Sequence, residues 1–454
     1  MKKILIVTDT FPPYRHIGRF RIQGFSKHLK YFGCEPIILT PTASYLWDKD
    51  NRLVNEIPKT LKVFRAYLPP ALPIIIRNFA NRFRKKKKGG ISEYNGTDDL
   101  SQNNLSILKR FLVSSINLYQ AFLDKYILIP GQEILWIPFV IWKGIKIINH
   151  YDVDIIFSSA PVYTNHIVGY MLKVISRKKW VADYRDLWTY DYTRNERFGN
   201  ARIRIERYIE KSIIRKADAI VCISPRMAEI LTKEYNKINK VYIIQNGFDP
   251  THINRYTLLY KKKSFLEIVY TGRMTAYRRN NLLLDSLGIL LNDNPDIKNK
   301  LKLKFIGKVL STEQMLIDEK IRKYSLENNI VFSGWINHSK CLESQKMADV
   351  LLLIIEDKKN SNAVLTGKLF EYIISDRPIL ALAPEGDAKD IIEETNTGIV
   401  VPPNNEEKIM QAIISYYEQW KANTLYINPN WNNINKYNRK NLTRKLAHLF
   451  NSFN

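Results

Sequence analysis

Cysteine is scarce in this sequence of 454 residues: Cys34, Cys222 and Cys341 are far apart and odd in number. Neither a disulfide framework nor a cysteine-based zinc site can be read from them, and a reducing compartment fits. Long apolar runs are also missing. The opening MKKILIVTDTFPPY has two lysines but only four consecutive apolar residues. A secretory leader needs about 7–15, and a spanning helix about 18. The longest near-candidate, Ile134 to Trp142, is too short. A cytoplasmic protein is expected, peripheral at the inner face of the plasma membrane. Phosphate-binding fingerprints are absent as well. No G-x-G-x-x-G follows the first apolar run, and Gly367-Lys368 lacks both the upstream glycine and the following Ser/Thr of a P-loop. Acidic residues are few: 44 Asp+Glu face 70 Lys+Arg, a net charge of +26. Such a balance favours an anionic partner, although a Lys-, Asn- and Ile-rich composition contributes to it. No helix-turn-helix, zinc or RNP signature accompanies the charge, so nucleic acid is not expected.

What remains is ordinary globular composition, 45% hydrophobic and 25% charged, which excludes disorder throughout, collagen and coiled coil. The length suggests two or three domains. Lys3–Thr8 is a buried strand stopped by Pro12-Pro13. Residues 20–31 have helical spacing and meet Gly33, and Pro36–Leu39 is a second strand. This opens a β-α-β unit and a parallel sheet. Between Tyr67 and Tyr151 the pattern loosens into a basic, aromatic insertion, with a mobile loop expected over Lys85–Asn104 and a helix over Ile134–Ile148. The α/β rhythm returns from Ile155 to Ile244. A polar, basic linker is placed at Asp249–Lys263, and a second α/β series runs to Val401. Ser311-Thr-Glu-Gln314 has the form of a capping box. Helices close the chain at about Glu406–Trp420 and Asn433–Phe450. Two doubly wound, Rossmann-like halves fit this rhythm, with ligands expected at the carboxyl ends of the strands, in a cleft between the halves.

Several residues could carry chemistry there. Gly272-Arg273 ends the first strand of the second series, and Arg279 lies six residues on. Two guanidinium forks suit a diphosphate; solvated surface arginines are the alternative, and Arg278 could replace Arg279. In AVLTGKLFEYIISDRPILAL, Thr366-Gly367 precedes a helix whose free N–H groups suit phosphate. Gly367 lets backbone come close, and Glu371, one turn in, could accept both hydroxyls of a ribose. In WVADYRDLW, Asp183, Arg185 and Asp186 close a strand; an Arg–Asp pair bracing the loop is the alternative. His166, in SSAPVYTNH, is a further candidate. Asp152 and Asp154 resemble a metal-binding pair, but no metal site is assigned.

Together these strings resemble the GT-B glycosyltransferases, in the retaining family 4 group, over nearly the whole chain. TDTFPPY with Gly18 and Arg21, then GCEPIILTP, is similar to the family's first β-α-β. ILIPGQEILWIP, DIIFSSAPVYTNH, KWVADYRDLW, IERYIEKSIIRKADAIVCIS and IIQNGFD follow in the order of bacterial surface-polysaccharide members, and YTGRM, FSGWI, TGKLFEYI and DRPILAL resemble the donor domain. The resemblance implies an acceptor-side domain over 1–250 with the insertion at about 67–151, a donor domain over 264–425, and a C-terminal helix, 426–454, returning to the first domain. It implies that Arg273 and Arg279 meet the donor diphosphate, stabilising charge on the leaving group without a metal or other cofactor. Gly272, Thr366, Gly367 and Lys368 would also meet the donor, Glu371 its ribose, and Gly18 would approach from the first domain. Arg21, His166, Asp183 and Arg185 are acceptor-side candidates.

Two departures from the family stand out. The Glu often found eight residues before the ribose Glu is Ala363 here, so sugar recognition must differ, or Glu356 or Asp357 compensates. The family's frequent His falls near Arg185-Asp186, and Asp186 is the catalytic candidate there. The implied activity is transfer of a sugar from a UDP- or GDP-sugar to a hydroxyl of a glycan acceptor, lipid-linked, with retention, in cell-surface polysaccharide synthesis. A nucleotide-sugar epimerase of the same fold and a catalytically silent scaffold are the alternatives.

Overall fold

The computed structural model describes residues 1–42, 48–70, 118, 122–123, 126–236, 240–252, 262–274 and 281–453. The expected loop at Lys85–Asn104, most of the linker, and Arg278 and Arg279 lie outside them.

Two sheets organise the chain. The first contains β1 (Lys2–Val7), β2 (Cys34–Pro41), β3 (Lys62–Ala66), β4 (Ile155–Ala160), β5 (Lys179–Tyr184), β6 (Ala219–Cys222) and β7 (Val241–Ile243), in the order β3-β2-β1-β4-β5-β6-β7. The second contains β8 (Leu266–Thr271), β9 (Leu301–Ile306), β10 (Ile330–Phe332), β11 (Val350–Ile354), β12 (Ile379–Leu382) and β13 (Gly398–Val401), in the order β10-β9-β8-β11-β12-β13. The pairs β1–β4, β2–β3 and β6–β7 are parallel, as are the pairs of the second sheet. The second order is the doubly wound 3-2-1-4-5-6, and the first is the same order with a seventh strand added at its far edge; each has a switch point beside its first strand. This is the architecture read from the sequence. The apolar runs Ile4–Val7 and Val350–Ile354 are buried throughout, because helices cover both faces of a parallel sheet.

The chain divides into two compact units. One comprises Met1–Arg19, Glu35–Asp183 and Arg194–Ala219; the other comprises Phe20–Cys34, Tyr184–Thr193 and Ile220–Asn454. In the first, helix α2 (Ile137–Tyr151) carries Pro138 in its opening turn, where a missing N–H costs nothing. Helices α3 (Thr164–Ser176), α4 (Tyr192–Arg197, which straddles the division) and α5 (Asn200–Lys216) follow. Buried Glu206 on α5 accepts from both Arg194 and Arg202, the latter at 2.8 Å. Arg194 and Arg202 also donate to the carbonyl of Pro130, so the ion pairs tie α5 to the segment leading into α2.

The second unit holds helices of both chain ends. Helix α1 (Arg19–His28, whose first residue lies in the first unit) continues as a 3-10 turn and stops at Gly33, whose φ of +79° suits glycine. Helix α6 (Pro225–Glu234) starts with Ser224, whose hydroxyl caps the N–H of Met227. Helices α7 (Asn281–Asp293), α8 (Pro295–Lys300), α9 (Ser311–Tyr324), α10 (His338–Lys346), α11 (Gly367–Tyr372), α12 (Asp387–Thr395) and α13 (Glu406–Lys421) surround the second sheet. Leu284 and Leu291 of α7, Ile317 of α9 and Ile409 and Tyr416 of α13 pack in one core with Tyr270, Leu303 and Leu352 of the strands. The capping box at Ser311 does not form: Leu310 is the N-cap, Ser311 is already helical, and no side chain caps the turn.

The single closing helix expected over Asn433–Phe450 is broken. Helix α14 (Trp431–Ile434) ends in a 3-10 turn, and α15 (Arg439–Asn451) restarts at Asn438, whose extended backbone interrupts the helix and whose side chain caps the N–H of Lys440. Helix α15 packs within the second unit, beside the segment Phe20–Cys34. The Arg439 guanidinium lies 5.5 Å from the Phe20 ring centre, and Asn451 donates to the carbonyl of Phe32 at 3.3 Å. Among the described residues no helix is long and apolar enough to cross a membrane.

Candidate active site

Each switch point places side chains at the carboxyl ends of its strands. In the first sheet these side chains bond to one another. Asn165, at the start of α3, donates to Asp9 Oδ1 at 3.1 Å and to the carbonyl of Ser159 at 2.7 Å. The Ser159 hydroxyl donates to Asp183 Oδ2 at 2.7 Å. Ser158 Oγ accepts from Trp180 Nε1 at 2.9 Å and lies 2.9 Å from His166 Nδ1. Ser158, Ser159, Asn165, His166, Trp180 and Asp183 are fully buried. Gly169 admits the indole: a Cβ there would sit 2.4 Å from Trp180 Nε1. His166 and Asp183, two of the acceptor-side candidates, are thus each held in an interior hydrogen-bonded set, His166 with Ser158 and Trp180, Asp183 with Ser159 and Asn165.

Other sequence candidates are elsewhere. Arg185 is buried and Asp186 exposed, on the segment after β5. The Gly18 N–H donates to His16 Nδ1 at 3.1 Å. Arg21 is buried and donates to the carbonyls of Ile244 and Gln245, both at 2.8 Å. It therefore satisfies the chain just after β7, with its guanidinium 4.8 Å from the Phe25 ring centre.

The second switch point is built from glycines and one cation. Gly272 follows β8 with φ +116°, and Gly307 follows β9 with φ +142°, a backbone region that favours glycine. The Gly272 N–H donates to Ile306 and the Gly307 N–H to Gly334, both at 2.7 Å. A Cβ on Gly307 would lie 2.2 Å from the Gly272 carbonyl oxygen, and one on Gly272 would lie 2.5 Å from Lys368 Cε. These glycines hold the strand ends together and let Lys368 lie against them. The Lys368 ammonium sits 3.7 Å from the centre of the Tyr270 ring, and the residue is only 8% exposed. A partly desolvated cation over an aromatic face is stabilised by about 0.5–2 kcal/mol. Arg273 follows as an exposed residue whose carbonyl accepts from the Tyr270 hydroxyl at 3.3 Å. Thr366 precedes α11 without capping it, and its buried hydroxyl has no partner among the described residues.

Glu371 lies on the same short helix as Lys368. Its Oε1 is 2.8 Å from His338 Nε2, and its Oε2 accepts from Gln345 Nε2 at 3.0 Å. Burial alone would raise this carboxyl. The His338 hydrogen bond and charge outweigh that, with help from Gln345 and Arg439, and hold it below the ordinary carboxylate range. Gln345 also reaches Thr271 Oγ1 at 3.2 Å, and Thr271 bonds the Tyr372 hydroxyl at 2.9 Å. Burial drives the Tyr372 hydroxyl well up and the Cys341 thiol up to about 12, so both stay protonated and uncharged in this network. The ring of His338 lies 4.8 Å from that of Phe20 and 5.7 Å from that of His252. Burial pushes His252 down to about 4, against the opposing charge of Asp249.

The structure therefore brings Gly272, Lys368 and Glu371 together by direct and shared contacts, with Thr366 and Gly367 at the start of the same helix. His338, Gln345 and Tyr270 were not anticipated. The seven-residue spacing of His338 and Gln345 puts them on one helical face, a signal that becomes visible only once α10 is recognised as a helix.

Comparison with known proteins agrees with this fold. Residues 119–252 match the model of Glycosyltransferase Family 4, and residues 259–438 match that of Glycosyl transferases group 1. No curated protein sequence matches significantly. Among solved structures, sucrose-phosphate synthase from Thermosynechococcus elongatus is similar with a TM-score of 0.61 at 13% identity, covering 99% of this chain and 98% of that one. HepE from Anabaena, in complex with UDP and glucose, is similar with a TM-score of 0.58 at 14% identity, covering 100% of both chains. A mutant of S. aureus TarM, in complex with fondaparinux, alpha-GlcNAc-glycerol and UDP, has a TM-score of 0.61 at 12% identity, covering 100% of both chains. With two doubly wound parallel sheets and two glycosyltransferase models matched in sequence along it, the chain belongs to the GT-B glycosyltransferases.

Proposed function

We propose that the enzyme transfers a sugar from a nucleoside diphosphate sugar, with uridine as the leading base, to a hydroxyl of a glycan acceptor, with retention at the anomeric carbon. The observation that carries the donor assignment is the seat of Lys368 against Gly272, with Glu371 one turn along the same helix. The ammonium would meet the diphosphate where the glycine backbone admits it. Arg273 and Arg279 would complete the positive field, so that charge forming on the leaving nucleoside diphosphate is stabilised without reorganisation. Both oxygens of Glu371 would accept the ribose hydroxyls. No protein nucleophile is assigned; the acceptor hydroxyl attacks on the face the diphosphate leaves. UDP in the HepE and TarM complexes supports uridine as the base to test first.

A lipid-linked acceptor in surface-polysaccharide synthesis is the finer proposal. Its support is helix α2, which has no acidic residue and exposes Phe139, Trp142 and Lys146. Trp142 is 61% exposed with the Lys146 ammonium 3.7 Å from its ring centre, and exposed Tyr67 packs edge-on against Phe139. Aromatic rings beside lysines suit an anionic membrane interface. The expected result is flotation with anionic vesicles at low salt, lost in the double variant Trp142→Ala/Lys146→Ala. Wild-type protein remaining in the soluble fraction contradicts the membrane role.

The catalytic proposal is tested by incubating the enzyme with UDP-sugars and a glycan acceptor and following UDP. Acceptor-dependent UDP release is expected. An epimerase would instead yield an altered sugar nucleotide with no UDP formed, and a silent scaffold would leave the donor intact.

A further inference from the structure

We infer that His338 is a positioning residue for Glu371: it fixes the carboxylate so that one lone pair of each oxygen is kept for the two ribose hydroxyls of the donor. This inference rests on the ribose assignment of Glu371 proposed above.

The hydrogen-bond arithmetic carries it. An ionised carboxylate offers about four acceptor positions. His338 takes one on Oε1 at 2.8 Å, and Gln345 takes one on Oε2 at 3.0 Å. What remains is one position on each oxygen, the number two vicinal hydroxyls require. Gln345 alone is a weak anchor. Its amide nitrogen has two hydrogens and three acceptors in reach: Glu371 Oε2, Thr271 Oγ1 at 3.2 Å and Cys341 Sγ at 3.7 Å. The shorter bond from His338 therefore decides the orientation.

His338 is itself held. It occupies the first turn of α10, next to the N-cap Asn337, and its ring packs against Phe20 and His252. Nε2–H donates to the carboxylate whether the imidazole is neutral or charged. The charged groups around the pair are Arg439, which acts on Glu371 and His252, and Asp249, which acts on His252. The site is also open. The His338 and Glu371 side chains keep 34% and 16% of their exposure, in contrast to the sealed Ser158–His166 pair. A fixed carboxylate has no rotamer freedom left to lose when the ribose arrives.

The test compares binding of UDP and 2′-deoxy-UDP by calorimetry to the full-length wild type, His338→Ala, His338→Gln and Glu371→Gln. Wild type is expected to prefer UDP. His338→Ala should lose about tenfold in UDP affinity, with 2′-deoxy-UDP affinity held within about twofold. His338→Gln, which keeps an N–H donor, should recover part of the preference. In transfer assays the donor KM of His338→Ala should rise while kcat at saturation holds. Equal weakening toward both nucleotides in His338→Ala means a structural role only and overturns the inference. So does a preference left intact in His338→Ala while Glu371→Gln abolishes it. If wild type shows no preference, the ribose assignment itself has failed and the inference falls with it.

Discussion

At the switch point of the first sheet, Ser158 pairs with His166, and Asp9, Asn165, Ser159 and Asp183 form a second bonded set, all of them buried. At that of the second, the corresponding volume holds Gly272 and Gly307, one lysine over a tyrosine ring, and a carboxylate clamped by two donors yet partly open. The first six strands have the same order in both. Topology thus supplies a location at the strand ends, and the side chains decide its use. Where donors and acceptors satisfy each other the location is a brace. Where glycine removes side chains, a lysine lies against bare backbone, and that is the place proposed for the donor diphosphate.

The comparison is broken most sharply by giving Gly272 a side chain. Gly272→Ala forces a Cβ to within 2.5 Å of Lys368 Cε at a φ of +116°. Sugar transfer from the UDP-sugar donor is expected to fall by about 10²–10³-fold, the scale of losing one preorganised electrostatic contact. Activity within about threefold of wild type would mean that this contact is not part of the site.

Asp183→Ala should do the reverse. It strips Ser159 of its acceptor inside the protein, which costs about 1–3 kcal/mol. The denaturant midpoint should drop while UDP affinity stays unchanged. Loss of UDP affinity with an unchanged midpoint would instead make the first switch point part of the donor site.

A smaller effect comes from acidification. His252 titrates near 4 in the folded chain and near 6.5 unfolded. Between these values the unfolded chain binds more protons, so stability declines as pH falls from about 6.5 toward 4. Denaturant titrations at pH 7 and pH 5 should show wild type losing more stability than His252→Asn. An equal loss in both would remove His252 from the account.

The legible parts of the molecule were those whose physics is local. Runs such as Ile4–Val7 read directly as buried strands, and the string TGKLFEYI led to Lys368 and Glu371. Helix α10, HSKCLESQK, escaped notice because only Leu342 and Gln345 are buried, so no apolar period marks it. With it went His338, the partner of Glu371. Strand β3, KVFRA, buries only Ala66 and carries a lysine and an arginine, so it too lacks a strand's pattern. At Ser311 the motif was present, but the chain entered the helix one residue earlier, and the hydroxyl that should cap was already helical. The Lys368–Tyr270 contact joins residues 98 positions apart in the sequence, and no spacing rule reaches that far.

Calorimetric titration of UDP and GDP into wild type and Lys368→Ala tests the central claim most directly. One nucleotide should bind wild type, and the substitution should weaken it by at least about tenfold. Failure of both nucleotides to bind, or an affinity indifferent to Lys368, would contradict the assignment of the second switch point to the donor.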